Sequence, residues 1–150
     1  MKNTLALIFV FLSFSLVKAQ CVVSFEELNN STRFNLTQFE TFALQNGYSY
    51  NSEKNTFMCD EEYSANAHSQ LLYSKTPSGY NLVQYIFFEK SNYLAFKKYL
   101  ESRGELIDFI TEDNAMKSNY IYDGYLINLI SKTFKGQTVY FANISNEKFR

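Results

Sequence analysis

The sequence contains few of the residues that break or crosslink a chain: one proline, five glycines and two cysteines, together with a single histidine. So little proline and glycine excludes a long linker, and 46% hydrophobic residues is far more than a disordered chain carries. One histidine excludes a His-x-x-x-His metal pair, and two cysteines exclude a cysteine-rich zinc motif. No basic run extends beyond Lys97-Lys98, which argues against a nucleic-acid partner.

Residues 1–19 have the pattern of a secretory signal peptide. Lys2 supplies the positive start, an apolar run follows, and Val17 and Ala19 are the small residues of a cleavage site after Ala19. The apolar run is too short to cross a bilayer as a helix. We therefore predict a secreted or periplasmic protein whose mature chain has no membrane span.

The two cysteines, Cys21 and Cys59, are an even number in an exported chain and favour one disulfide. It would close a loop of about 39 residues, worth roughly 4 kcal/mol in the chain-entropy model. Two free thiols are the alternative.

A six-residue segment occurs twice in the chain. Residues 74–79 read Ser-Lys-Thr-Pro-Ser-Gly, and residues 131–136 read Ser-Lys-Thr-Phe-Lys-Gly. At the same offset, further positions match: Asn35/Asn92, Phe39/Phe96, Gly47/Gly104, Tyr63/Tyr120 and Leu72/Leu129. These matches predict an internal duplication, with repeat one at 34–90 and repeat two at 91–150. A polar lead-in, 20–33, precedes the repeats.

Each repeat is predicted to open with a helix. Asn35 is a typical N-cap, Gln38 is its capping-box partner, and Gly47 suits the left-handed residue that ends a helix. In the second repeat Gly104 has the same place. Residues at helical spacing predict the inward faces: Leu36, Phe39, Phe42 and Ala43 in the first helix, and Tyr93, Phe96, Tyr99 and Leu100 in the second.

Strands follow each helix, and a tight hairpin is predicted at Asp123-Gly124. Residues 80–88 are apolar at nearly every position, which predicts a central strand covered on both faces. The predicted strands are 48–50, 56–59, 68–75 and 80–88 in repeat one, and 105–111, 120–122, 125–133 and 137–144 in repeat two.

The connections between strands are short, which forces antiparallel pairing. The fold class predicted is therefore α+β: two layers, with tandem duplicated α-β-β-β(-β) units forming an antiparallel meander sheet and two helices on one face. Tandem helix-plus-meander units of this size resemble, in element order, the architecture of the β-lactamase inhibitor protein family. That resemblance implies binding through an open sheet face.

Catalytic arrangements find little support in the sequence. A Ser-His-Asp triad would need His68, with Ser69 or Ser78 and Asp60, but no nucleophile elbow is present. The acidic segments 60–62 and 112–114 lack the EF-hand pattern and are typical of solvated loops, so no metal or cofactor is predicted. Glu89, Asp108 and Asp123 fall near strand ends, and nothing pairs them as a glycosidase would require.

Twelve tyrosines remain, and four of them fall in the strands of repeat two: Tyr120, Tyr122, Tyr125 and Tyr140. Exposed tyrosine gives a large contact area with a polar tip, which suits a protein or glycan partner, whereas tyrosine also favours half-buried strands. We therefore predict a non-catalytic binding module using an aromatic-rich sheet face. A small hydrolase using carboxylates or His68, and an envelope structural protein, are the alternatives.

Overall fold

The computed structural model describes residues 21–59 and 69–149. The predicted signal peptide, the acidic run 60–62 and His68 lie outside these residues. The described elements are α1 (Phe25–Ser31), α2 (Leu36–Gln45), β1 (Tyr48–Asn51), β2 (Thr56–Cys59), β3 (Gln70–Lys75), β4 (Asn81–Phe87), α3 (Lys90–Arg103), β5 (Glu105–Glu112), β6 (Ala115–Tyr122), β7 (Tyr125–Phe134) and β8 (Gln137–Lys148). The prediction of a mixed α+β fold is confirmed.

The strands form one antiparallel sheet in the order β1-β2-β3-β4-β8-β7-β6-β5. Each run of four strands is a meander, and the two meanders meet where β4 pairs with β8. Strands β1 and β5 therefore lie at opposite edges. No helix among the described residues has the length and hydrophobicity that a membrane crossing requires.

Local sequence signals explain the first two helices. Asn35 accepts a hydrogen bond from the backbone N–H of Gln38, whose side chain accepts one from the N–H of Asn35, so the predicted capping box is confirmed. Gly47 ends this helix in the left-handed region, with φ +85°. No helix was predicted in the polar lead-in, but it contains α1, which begins with an equivalent box between Ser24 and Glu27.

The third helix ends differently from the prediction. Gly104 follows it with φ −105°, so this glycine is extended rather than left-handed. A Cβ placed there would lie 3.0 Å from the backbone oxygen of Leu100 and 3.1 Å from that of Ile121. Glycine is therefore needed because the helix end and β6 approach closely.

The sheet has two unlike faces. Along β4, Val83, Tyr85 and Phe87 are buried, and the alternate residues are half-buried. We call the side with these buried residues the core face and the other the second face. The prediction that β4 is central is confirmed. Its second-face residues Leu82, Gln84 and Ile86 are half-buried, so the predicted cover is complete on the core face and partial on the other.

Aromatic side chains of the helices contact the core face. The ring of Phe39 lies 5.0 Å from that of Tyr73, and the ring of Phe25 lies 5.3 Å from that of Tyr122. The predicted inward residues Phe39, Phe96 and Leu100 are buried, whereas Leu36, in the first turn of its helix, is exposed. Aromatic packing of this kind dominates the energetics of a small core.

The predicted disulfide is confirmed: Cys21 and Cys59 are bonded, with their Cα atoms 5.8 Å apart. Around it lies a buried cluster of hydroxyl groups. The Tyr48 hydroxyl donates to the carbonyl of Cys21 at 2.8 Å and lies 3.0 Å from Oγ of Ser69, and the Tyr85 hydroxyl reaches the same carbonyl at 3.4 Å. The disulfide and these bonds attach the start of the described chain to the sheet.

Candidate functional site

The four tyrosines predicted as binding residues occupy three different environments. Tyr120 and Tyr140 belong to the core, with 1% and 7% of their surface exposed. The ring of Tyr140 stacks on Tyr93 at 4.7 Å and on Phe87 at 5.7 Å. The binding role of these two residues stays a prediction, and in this structure their rings contact core residues.

Tyr122 belongs to a junction between helices and sheet. Its hydroxyl lies 3.0 Å from that of Tyr99, which donates to Glu26 at 2.9 Å and accepts from Arg103 at 2.8 Å. Burial, together with the hydrogen bonds to Tyr122 and Glu26, raises the pKa of Tyr99 to about 12. The hydrogen-bonded cluster joins α1 to α3 and β6.

Tyr125 lies in the wall of a concavity of about 1140 Å³ at one end of the sheet. The walls come from the β3–β4 turn, the start of β4, the start of β7 and the end of β8. The lining residues are Thr76, Ser78, Tyr80, Leu82, Tyr125, Leu126, Asn128, Asn143, Ser145, Asn146, Glu147, Lys148 and Phe149. Of the four predicted tyrosines, Tyr125 is the one that lines this site.

The lining is aromatic and polar with little charge. Three rings, those of Tyr80, Tyr125 and Phe149, stand among hydroxyl and amide side chains. The charged residues of the lining are Glu147 and Lys148, one of each sign. Such a surface suits an uncharged polar ligand, because amides and hydroxyls both donate and accept hydrogen bonds.

A row of amide side chains leads from the concavity across the second face. The row consists of Gln84, Asn143, Asn128 and Asn119, which are register neighbours on β4, β8, β7 and β6. Gln84 donates to Asn143 at 2.7 Å and Asn128 donates to Asn119 at 2.8 Å. Each amide has more donor and acceptor capacity than these bonds use, so the row can bind a polar ligand.

The amide row was missed in the sequence analysis, although a signal for it was present. Asparagine is depleted in strands, yet three asparagines fall inside the strands that carry the row. Their alignment depends on strand register, which no local pattern reveals.

Hydrogen bonds hold the walls of the concavity in place. The N–H of Asn81 donates to the side chain of Asn146 at 2.8 Å, and the N–H of Phe149 donates to the carbonyl of Gly124 at 2.8 Å. The Asn81 side chain, itself buried, donates to the carbonyl of Thr32 at 2.7 Å and accepts from Lys75. The site is therefore built on paired strands whose backbone and side-chain hydrogen bonds fix its walls.

The residues considered for a triad are placed only in part. His68 and Asp60 lie outside the described residues. Ser69 is buried, and its hydroxyl lies 3.0 Å from that of Tyr48, within the cluster near the disulfide. Ser78 lines the concavity.

The three carboxylates considered for glycoside hydrolysis occur on separate elements. Glu89 precedes α3 as its N-cap residue, Asp108 lies in β5, and Asp123 lies in the β6–β7 turn, 3.7 Å from Arg33. Asp113 belongs to the β5–β6 turn with φ +28°. Within the described ranges, no group of three or more histidine, cysteine or acidic residues is arranged to hold a metal ion.

Comparisons with known proteins give no match: no family model fits the sequence, and neither the curated proteins nor the solved structures contain a significant relative. The resemblance to the β-lactamase inhibitor protein family therefore rests on element order alone.

Proposed function

We propose that the protein is an exported, non-catalytic binding module whose ligand occupies the concavity and extends along the amide row. The observation that carries this proposal is the lining itself: three aromatic rings among amides and hydroxyls, with one charge of each sign. Aromatic rings provide contact area, and a few polar groups fix the orientation of the ligand. Among the described residues that line the concavity, Glu147 is the one carboxylate, whereas hydrolysis by paired acids needs two.

The favoured ligand is a neutral glycan. Sugar hydroxyls both donate and accept hydrogen bonds, as the side chains of Asn128 and Asn143 do, and the flat faces of sugar rings pack on aromatic rings. A strongly charged partner would find little to neutralise its charge there. A protein partner is the alternative ligand class, and the experiment below separates the two.

The proposed architecture is a duplicated one, with all three helices on the core face and the second face left to the ligand. The strand order supports a duplication. Counted inward from its own edge of the sheet, each meander has its four strands in chain order, β1 to β4 from one edge and β5 to β8 from the other. The two Ser-Lys-Thr segments both connect the third and fourth strands of a meander, and their glycines have φ values of +85° and +83°.

The proposed location is outside the cytoplasm. The sequence pattern of residues 1–19 supports export, and the disulfide supports an oxidising compartment. Both features fit a secreted or periplasmic protein.

A glycan array followed by calorimetry tests the proposed function. The mature chain is screened against neutral and acidic oligosaccharides, and the best ligand is titrated into the wild type and the variants Tyr125→Ala and Asn128→Ala. The matched control is Tyr50→Ala, which removes an exposed tyrosine from β1 at the edge of the sheet. We expect binding to weaken about tenfold or more in the two site variants and to stay unchanged in the control.

Three results would contradict the proposal. If Tyr50→Ala weakens ligand binding as much as the two site variants do, the binding site is not the concavity. Hydrolysis of the bound oligosaccharide would favour the enzyme alternative. If a purified protein binds selectively and Tyr125→Ala abolishes that binding, the concavity is the binding site but its ligand is a protein rather than a glycan.

A further inference from the structure

Strand β5 forms an edge of the sheet and is exposed along almost its whole length. It pairs with β6, and no other strand of the described residues pairs with it. Every residue of Glu105–Glu112 is exposed except Ile110, which is half-buried. An edge strand presents unpaired backbone N–H and C=O groups, which are a template for pairing with another chain.

A register shift gathers apolar side chains on one face of this edge. The shift lies between Leu106 and Asp108, so Leu106 stands opposite Tyr120 and Phe109 stands opposite Ser118. Both of those β6 residues are on the core face, which places Leu106 and Phe109 together on that face. Each is 53% exposed, and neighbouring Met116 is 46% exposed.

The opposite face of the same edge carries three acids and Ile110, which stands opposite Lys117 of β6. Glu105, Asp108 and Glu112 pair with residues of β6 that belong to the second face, namely Ile121, Asn119 and Ala115. No lysine, arginine or proline occurs in β5, so its protection against pairing consists of its three acids and the register shift, and a basic segment would neutralise those acids. The edge therefore carries exposed apolar side chains on the core face, and three of its four paired residues on the second face are acidic.

We infer that β5 is the docking site for an extended segment of another protein, which adds a ninth strand to the sheet. The fitting segment alternates apolar residues, which cover Leu106 and Phe109, with lysines or arginines, which face the three acids. Backbone hydrogen bonds would supply affinity, and the alternating side chains would supply specificity.

A second copy of this chain is the wrong occupant on electrostatic grounds. Pairing of β5 with its own copy would continue the sheet and place the two acidic faces side by side. Like charges opposite each other destabilise a strand pair, whereas a basic partner is attracted by the same face.

A short synthetic peptide tests the inference on the mature full chain. The probe is a fluorescent, capped peptide of alternating lysine and valine, and its partner control alternates glutamate and valine. We expect anisotropy to report saturable binding of the lysine peptide alone, weakening as salt is added. Amide exchange should slow in residues 105–112. A lysine peptide with alternate backbone nitrogens methylated on its pairing edge should lose binding, because those donors are removed.

Variants of the protein sharpen the test. Phe109→Ala should weaken the lysine peptide about tenfold, whereas Leu94→Ala, which trims an exposed leucine on α3, should have no effect. The triple change Glu105→Lys, Asp108→Lys and Glu112→Lys should exchange the preference, so that the glutamate peptide binds and the lysine peptide does not.

Several results would overturn the inference. Binding that survives methylation of alternate backbone nitrogens, whichever alternate set is methylated, would show that the peptide does not add as a strand. A basic partner segment at this edge would be excluded if the lysine peptide showed no saturable binding. It would also be excluded if the protein formed a dimer that Phe109→Glu dissociates. Tyr125→Ala should leave peptide binding intact, so failure here is separate from failure of the proposed glycan site.

Discussion

Removing one hydroxyl group, in Tyr48→Phe, tests how the chain near the disulfide is held. Tyr48 is 2% exposed, and its hydroxyl donates to the carbonyl of Cys21 while lying against Oγ of Ser69. The ring can stay in place, so the change deletes hydrogen bonds without a large cavity. A buried polar group left without its partner costs about 1–3 kcal/mol, so we expect the free energy of unfolding to fall by about 2 kcal/mol at pH 8.

The same hydroxyl makes stability depend on pH. Burial raises the pKa of Tyr48 well above its ordinary value of about 10, and burial also raises the pKa of Tyr85. In the unfolded chain these phenols ionise near pH 10, whereas the folded chain keeps them protonated. Their contribution to the free energy of unfolding is therefore complete below about pH 10. Above that pH it declines by about 1.4 kcal/mol per pH unit for each phenol that keeps its proton in the folded chain.

Urea unfolding followed by circular dichroism at pH 8, 10 and 11 measures both effects. Above pH 10 the wild type loses the stabilisation that the Tyr48 hydroxyl provides, whereas Tyr48→Phe lacks this stabilisation at every pH. The difference between them should narrow from about 2 kcal/mol to under about 1 kcal/mol at pH 11. Tyr50→Phe, at an exposed position, is the control and should match the wild type within about 0.5 kcal/mol. A difference that stays constant or widens with pH would refute the reasoning.

Three further predictions concern stability and separate the core from the surface. Replacing both Cys21 and Cys59 by Ala should lower the free energy of unfolding by roughly 4 kcal/mol, since their separation is 38 residues; a loss below about 1 kcal/mol would contradict this. Tyr140→Ala should cost about 3–5 kcal/mol, whereas Tyr125→Ala, at a half-buried position, should cost about 1–2 kcal/mol, and equal effects in urea titrations would argue against the assigned environments. Gly104→Ala should cost about 1–3 kcal/mol by thermal unfolding, because its Cβ meets backbone oxygens on two sides, and an unchanged midpoint would exclude that clash.

Local signals predicted much of the secondary structure. The Asn35-Gln38 capping box and the Asp123-Gly124 turn were both identified correctly, and the turn joins Tyr122 to Tyr125 with φ values of +53° and +77°. These features depend on interactions between residues a few positions apart, so the sequence displays them directly. Helix α1 was missed because its polar residues obscured the short apolar pattern of Phe25 and Leu28.

The candidate site was much less predictable than the elements that build it. All four tyrosines lie in or beside strands and look alike in sequence, yet Tyr140 belongs to the core and Tyr125 to the concavity. The face on which a strand residue lies depends on register, and a shift of one residue reverses it. The shift between Leu106 and Asp108 has this effect in β5.

The sequence by itself determined the capping box of α2, the Asp123-Gly124 turn, the approximate strand positions and the pairing of the two cysteines, because short-range geometry or simple counting decides each of them. Only the tertiary structure decided that β4 lies beside β8, that Gln84 and Asn128 belong to one row, and that β5 is left at an edge. Those arrangements depend on pairing between strands far apart in the chain. The amide row and the acidic edge are visible only once that pairing is known.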